Sequence, residues 1–220
     1  LKDIDQETPE GVFKSLYMSG VSALGVSGIP TLHNTSPISP DKVENVIIDC
    51  TNCEPFSMPV SAFFKGNEKS FITGLNILNF IYPEADIDLA FDTNNKESYY
   101  GLFNALNSKE DYIHKGTYAT GKLLEKVSIL PLKPKYPQGN QAVLTETIIG
   151  KVDGDKGDFV AINSGILILN IRDVFSIYEA VIEGKPLIER VISLGGYGHN
   201  VNHGVWVRIG TSIESIVTHR

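Results

Sequence analysis

Apolar residues fall along the chain in two alternating patterns, recurrences every three or four positions and short unbroken runs, which predict helices and strands in turn. Thr8-Pro9-Glu10 offers a hydroxyl cap, a proline at the first helical position and an acid in the first turn, ahead of Val12, Phe13, Leu16 and Tyr17. A helix ending near Gly20 follows from that arrangement. Val43 to Asp49 contains the run Val46-Ile47-Ile48, too short for a helix, and predicts a buried strand. Phe71, Leu75, Leu78 and Tyr82 share one helical face until Pro83 ends it. Ile87 to Phe91 predicts the next strand, and Glu97 to Leu106 a helix with Tyr100, Phe103 and Leu106 along one side. Val127 to Leu132 predicts a third strand, running into a proline-punctuated loop from Pro131 to Gly139 and a helix from Gln141 to Ile149.

The second half continues the alternation. Lys151 to Asp158, rich in Gly and charge, predicts a surface turn, and Phe159 to Ile162 a short strand. Gly165 to Leu169 fits either a strand or the beginning of the next helix. Val174, Ile177, Tyr178, Val181 and Ile182 define an amphipathic helix ending at Gly184. Beyond Pro186, Leu187 to Leu194 and Val205 to Ile209 alternate around a loop of Gly, Asn and His, and Thr211 is placed to cap a last helix through Val217. The expected fold is α/β, a mostly parallel sheet with helices on both faces, whose ligands bind at the carboxyl ends of the strands. The ββα tail reads as the start of a second, smaller module.

Composition narrows the functions open to this fold. The 220 residues suit one α/β domain with a small appendage, and 42% hydrophobic against 20% charged residues places the chain among globular proteins. A net charge of -7 argues against a nucleic-acid binder, which gathers Lys and Arg into a stripe. Two cysteines supply neither a disulfide framework nor the four thiolates of an iron–sulfur cluster, so any electron carrier held here is organic. No run approaches the roughly 18 apolar residues of a membrane span, and no basic-then-apolar amino terminus marks a signal peptide. A cytoplasmic or peripheral protein is expected. The start at Leu1 rather than Met reads as a piece of a longer polypeptide.

Four loops carry candidate chemistry. In Leu24-Gly25-Val26-Ser27-Gly28-Ile29-Pro30-Thr31, the glycines either let the backbone approach a phosphate or flat ring, or serve a turn. Asp49-Cys50-Thr51-Asn52-Cys53-Glu54-Pro55 ends the first long strand. Its C-x-x-C fits a redox dithiol, half a metal site, or small buried filler. Glu54 can accept hydrogen bonds from a ribose or amide, or cap a turn. Lys133-Pro134-Lys135-Tyr136-Pro137-Gln138-Gly139-Asn140 pairs cations with an aromatic ring before a helix start, suiting a phosphate and a stacked ring as well as a solvated surface. Asn163-Ser164-Gly165 and Asn170 bracket an apolar segment, and Asn170 either caps the helix after it or meets a ligand. His199 and His203 sit on a Gly-flanked loop that gives them no common helical face, and no metal site is assigned.

Taken in order, Leu24-Gly25-x-x-Gly28-Ile29-Pro30-Thr31, Cys53-Glu54-Pro55, Lys135-Tyr136-Pro137-Gln138-Gly139 and Glu183-Gly184-Lys185-Pro186-Leu187-Ile188-Glu189-Arg190-Val191 resemble the RnfC family of electron-transport complex subunits over nearly the whole chain. Those proteins are relatives of the flavin subunit of respiratory complex I and of the A subunit of the sodium-translocating NADH:quinone reductase. The resemblance implies a Rossmann-like domain over residues 1–188 that binds FMN and takes electrons from NADH as substrate, then a partial β-grasp-like SLBB module over 189–220. It implies FMN contacts at Gly25, Gly28, Thr31, Glu54, Tyr136, Gly139 and Asn170, with iron–sulfur clusters only outside this fragment. The implied partners are the other subunits of a membrane redox complex, and the implied location is cytoplasmic, peripheral to the inner membrane.

The chain departs from the family pattern at the ligand loops. Ala23, Val26 and Asn34 stand where the glycine-rich flavin loop has Gly, Gly and Lys; Asn52 replaces the first acid of E-C-E-P; Asn140 and Gln141 stand in place of Gly and Glu. Two functions follow from this contrast. One is an FMN-binding, NADH-oxidising fragment; the alternative is a flavin-free structural or docking homologue resembling the A subunit of the quinone reductase.

Overall fold

A computed structural model describes residues 8–23, 29–30, 42–53, 55–94, 100–102, 126–150, 165–196 and 203–218. Helix α1 spans Pro9–Met18, with the Thr8 hydroxyl accepting the Gly11 N–H at 3.2 Å and Val12 and Leu16 turned inward. Two short strands follow, β1 (Ser22–Ala23) and β2 (Ile29–Pro30), paired antiparallel. The glycine-rich connection between them lies outside the described residues. Strand β3 (Asn45–Cys50) leads through a four-residue helix α2 (Ser61–Phe64) to α3 (Glu68–Ile81), and β4 (Asp86–Asp92) comes next. Residues 100–102 are helical, the described part of the helix expected over Glu97 to Leu106. Strand β5 (Val127–Leu132) and helix α4 (Gln141–Ile148) match their predicted positions within a residue. The surface turn and short strand expected over 151–162 lie outside the described residues.

Gly165 to Leu169 resolves as a strand, β6 (Ile166–Asn170), in register with β3 from Asn45↔Ile166 to Asp49↔Asn170. The sheet order is β5-β4-β3-β6, and every pairing in it is parallel. Alternate residues of each strand serve opposite faces, as a two-residue repeat requires. Val46 and Ile48 of β3, Leu89 and Phe91 of β4 and Leu167 and Leu169 of β6 join α1, α3 and the helix after β6 in the larger core. Ile47, Ala90, Ile166 and Ile168 meet Leu144 of α4 in the smaller one. Helices therefore cover both faces, as the pattern predicts.

Helix α5 runs Ile171–Tyr178 and its last turn, Glu179–Glu183, widens to π geometry before Gly184 at φ +64°. The sequence pattern predicts an uninterrupted α run; the wider turn places Ala180 and Ile182 together in the core. Strands β7 (Glu189–Leu194) and β8 (His203–Arg208) form a separate antiparallel pair, followed by α6 (Ile213–Thr218). Thr211 does not cap α6. Its hydroxyl donates to the Arg208 carbonyl at 2.7 Å, while the Ser212 hydroxyl accepts the Ser215 N–H at 3.1 Å. The hairpin is tied to the main body by Leu187 N–H donating to the Ser19 carbonyl at 2.8 Å and Met58 N–H donating to Ser193 Oγ at 2.8 Å.

Helices α3 and α5 approach closely at Gly74, where a Cβ would stand 2.7 Å from both Val174 Cγ1 and the Val174 carbonyl oxygen. Backbone cannot yield as a flexible side chain can. Gly74→Ala is therefore expected to destabilise by about 1–3 kcal/mol through overpacking, against a helix-propensity gain of roughly 1 kcal/mol. Urea unfolding measures the balance, and a variant stabilised by the full helix-propensity gain would contradict the close approach.

Candidate functional site

The strand order reverses about β3, with β4 and β5 to one side and β6 to the other, and a parallel sheet collects its ligands at the carboxyl ends beside such a reversal. Three chain segments meet there: the loop leaving β3, the β6–α5 junction, and the turn before α4. Between them lies a cleft of about 210 Å³ lined by Asp49, Thr51, Asn52, Cys53, Gly139, Asn170 and Arg172 on its polar side. Met58, Val60, Phe63, Ile171 and Val191 supply apolar wall. A second groove of about 410 Å³ shares Met58, Phe63, Arg172 and Val191 with it.

Gly139 is where two of these segments close. Its N–H donates to Cys53 Sγ at 3.1 Å. A Cβ on Gly139 would lie 2.9 Å from that sulfur and 3.2 Å from both Asp49 Oδ2 and Thr51 Oγ1, so only glycine lets the turn approach the end of β3. Asp49 accepts the Thr51 N–H at 2.8 Å and the Thr51 hydroxyl at 2.7 Å. Burial nonetheless pushes its carboxyl above the ordinary value, with the Thr51 bonds and the Arg172 charge pulling the other way.

Asn170 ends β6 and caps α5. Its Oδ1 accepts the Arg172 N–H at 2.8 Å and the Asp173 N–H at 3.1 Å, and Asp173 Oδ2 accepts the Asn170 N–H at 3.0 Å, a reciprocal capping box. The amide's other end is different. Asn170 Nδ2 is buried and has no hydrogen-bond partner among the described residues. A buried donor left in that state costs about 1–3 kcal/mol. Asp173, 1% exposed, also accepts from Arg190 Nη2 at 3.3 Å, joining α5 to β7. Burial raises the Asp173 pKa, opposed by the Asn170 N–H and by the two arginines.

The expected site residues distribute unevenly. Gly139 and Asn170 come together in the cleft, with Cys53 beside them. Gly25, Gly28, Thr31 and Glu54 lie outside the described residues. Tyr136 is 65% exposed on the turn before α4 and is not part of the cleft wall, and Lys133 and Lys135 beside it are exposed. The two cysteines part company: Cys50 is buried in the larger core, its thiol pushed up first by burial and then by Asp49, while half-buried Cys53 faces the cleft; both are free. Asn52 lines the cleft with its Oδ1 accepting the Ser57 hydroxyl. Arg172 is a site residue that sequence pattern alone does not single out. A cation in a helix's first turn opposes the macrodipole, and that breach of a local rule is its one signal.

Asp49→Asn keeps both Thr51 contacts while removing the charge. Because the folded pKa is raised, the unfolded chain ionises first as pH climbs. The stability this group contributes is complete below about pH 3.8 and is lost as pH rises through the folded value. Urea unfolding across acid to neutral pH should show the variant gaining stability relative to wild type over that window; a pH-independent difference would contradict the burial of Asp49.

Residues 16–179 match the family model of the Nuo51 FMN-binding domain. The chain is 27% identical over 220 residues to the C subunit of the ion-translocating oxidoreductase complex of Haemophilus influenzae strain PittEE, covering 99% of this chain and 31% of that protein. To the protein of the same name from Buchnera aphidicola subsp. Acyrthosiphon pisum it is 29% identical over 218 residues, covering 99% and 42%. It thus spans well under half the length of these curated relatives. The fold is similar to that in the crystal structure of NAD+-reducing nickel–iron hydrogenase in the H2-reduced state, with a TM-score of 0.65 and 15% identity over 80% of this chain and 31% of that one. The two oxidoreductase relatives agree with the RnfC resemblance carried by the four loops. As the matched segment contains the parallel sheet and the three loops that meet at its carboxyl ends, the chain belongs to the Nuo51 FMN-binding domain family.

Proposed function

We propose that this chain is the FMN-binding part of an RnfC-like subunit that takes electrons from NADH within a membrane-associated electron-transport complex. The observation that carries the reading is the pairing of an unmet buried donor, Asn170 Nδ2, with a turn that Gly139 lets close onto the end of β3, at the carboxyl ends of β3 and β6. A flavin fits these groups, because its ring edge presents several acceptors on either side of a single N–H donor and its faces are flat and apolar. FMN, when bound, supplies two-electron hydride acceptance from NADH and one-electron release.

The chain's own residues hold and shield such a group. Asn170 donates from Nδ2, Gly139 brings the turn before α4 against the end of β3 and so sets that edge of the cleft, and Val60, Phe63 and Ile171 keep water from its apolar side. Gly25, Gly28, Thr31 and Glu54 belong to the same proposal through the RnfC resemblance, as does Tyr136 from the turn beside Gly139. Residues 1–188 form the nucleotide-binding unit on this reading, and 189–220 begin an SLBB-like module. Iron–sulfur clusters, where a longer parent chain carries them, fall outside these residues. The other subunits of the complex are the partners, and the fragment lies on the cytoplasmic side, peripheral to the inner membrane. No helix among the described residues is long and apolar enough to cross a membrane.

The test is FMN titration followed by visible absorbance, with and without NADH under anaerobic conditions. The chain is expected to bind FMN at micromolar concentration or below, and NADH to bleach the bound flavin. A colourless chain that ignores micromolar FMN would contradict the reading and favour the docking alternative. Gly139→Val is expected to weaken FMN at least tenfold, about 1.4 kcal/mol, while thermal unfolding remains cooperative; unchanged affinity would remove the Gly139 turn from the site.

A further inference from the structure

We infer that Arg172 is the phosphate-binding residue of this cleft. The assignment rests on the nucleotide reading above and adds to it a residue that no part of the glycine-rich loop supplies. Arg172 stands on the wall shared by the cleft and the larger groove. Its guanidinium makes one hydrogen bond among the described residues, from Nη1 to the Val191 carbonyl at 3.5 Å, leaving most of its five donors unused. The neighbouring carboxylate does not occupy them. Asp173 is engaged by Arg190 and the Asn170 N–H.

Helix amides offer a competing anion site, but here two of them are taken. The Arg172 and Asp173 N–H groups both point at Asn170 Oδ1, so the first turn of α5 presents its positive dipole with those two donors already used. The Arg172 side chain provides the donors instead. Phe63 beneath it, with the guanidinium carbon 6.0 Å from the ring centroid, restrains the planar fork. Burial and the charge of Arg190 weaken its hold on its proton, opposed by the charges of Asp173 and Asp49, neither of which makes a direct ion pair with it. A phosphate would oppose that weakening, and would explain how Asn34 is tolerated where the resembled loop has Lys.

A phosphate can arrive on FMN or on the dinucleotide, and calorimetry with FMN, riboflavin and NADH on wild type, Arg172→Gln and Arg172→Lys separates them. Arg172→Gln is expected to bind FMN roughly 10- to 100-fold more weakly while riboflavin binding is unchanged, with Arg172→Lys recovering part of the loss. Weakened NADH with both flavins unaffected would assign the dinucleotide phosphate to the same residue. Equal weakening of FMN and riboflavin, or no change for any ligand, would overturn the assignment while leaving the nucleotide reading intact. A wild-type chain that binds none of the three would overturn both.

Discussion

Asp173 sits in the first turn of α5 with almost none of its surface exposed, and three positions in the fold are fixed by what its carboxylate must find there. One oxygen accepts the Asn170 N–H and so sets where β6 stops and α5 starts. The other faces Arg190 and so sets where β7 crosses that helix. Such a pair contributes little net stability, because the desolvation of two ions offsets most of their attraction. Its effect is on geometry: an ion pair so enclosed tolerates few alternative placements of either partner. The hairpin wall of the cleft, Val191 and Ser193, follows from that constraint, and so does the place of Arg172.

The opposite wall is held by packing rather than charge. Gly139 lets the turn before α4 reach the end of β3, where Cys53 accepts its N–H and Asp49 and Thr51 close a local hydrogen-bonded loop. The crossover from β5 to β6 runs through α4 on the smaller-core face, while α3 and α5 lie on the other, so the cleft opens between loops arriving from both sides of the sheet. Its chemistry is mixed by construction. Asp49 and Arg172 bring opposite charges, Asn170 brings an unused donor, and Met58, Val60 and Phe63 bring apolar cover, a combination suited to a flat polar-edged ring with an anionic tail.

Much of this is legible in the sequence because it depends on local periodicity. The Thr8 cap, the buried runs of β3 and β4, the Pro83 stop and the position of α4 are each dictated by a few neighbouring residues. Helix α2 is not legible: four residues carry no period, and Phe64 declares its role only by packing 4.8 Å from Phe71 and 5.7 Å from Phe91, ring centroid to centroid. The same holds for the π turn, which answers to the joint burial of Ala180 and Ile182. At the site, Gly139 and Asn170 stand out from their loops. Arg172 and Arg190 do not, since their roles arise from pairings across the chain, and Tyr136 shows how a ring beside a site glycine can still face solvent.

A flavin nucleotide in the cleft at the carboxyl ends of β3 and β6 is the occupant on which the proposed function depends. Amide hydrogen exchange of the chain with and without saturating FMN tests that occupancy directly. Slowed exchange is expected at residues 51–53, 138–140 and 170–173, three segments distant in sequence that meet only in this cleft. Protection confined to the β7–β8 hairpin and α6, with those three segments unchanged, would contradict it.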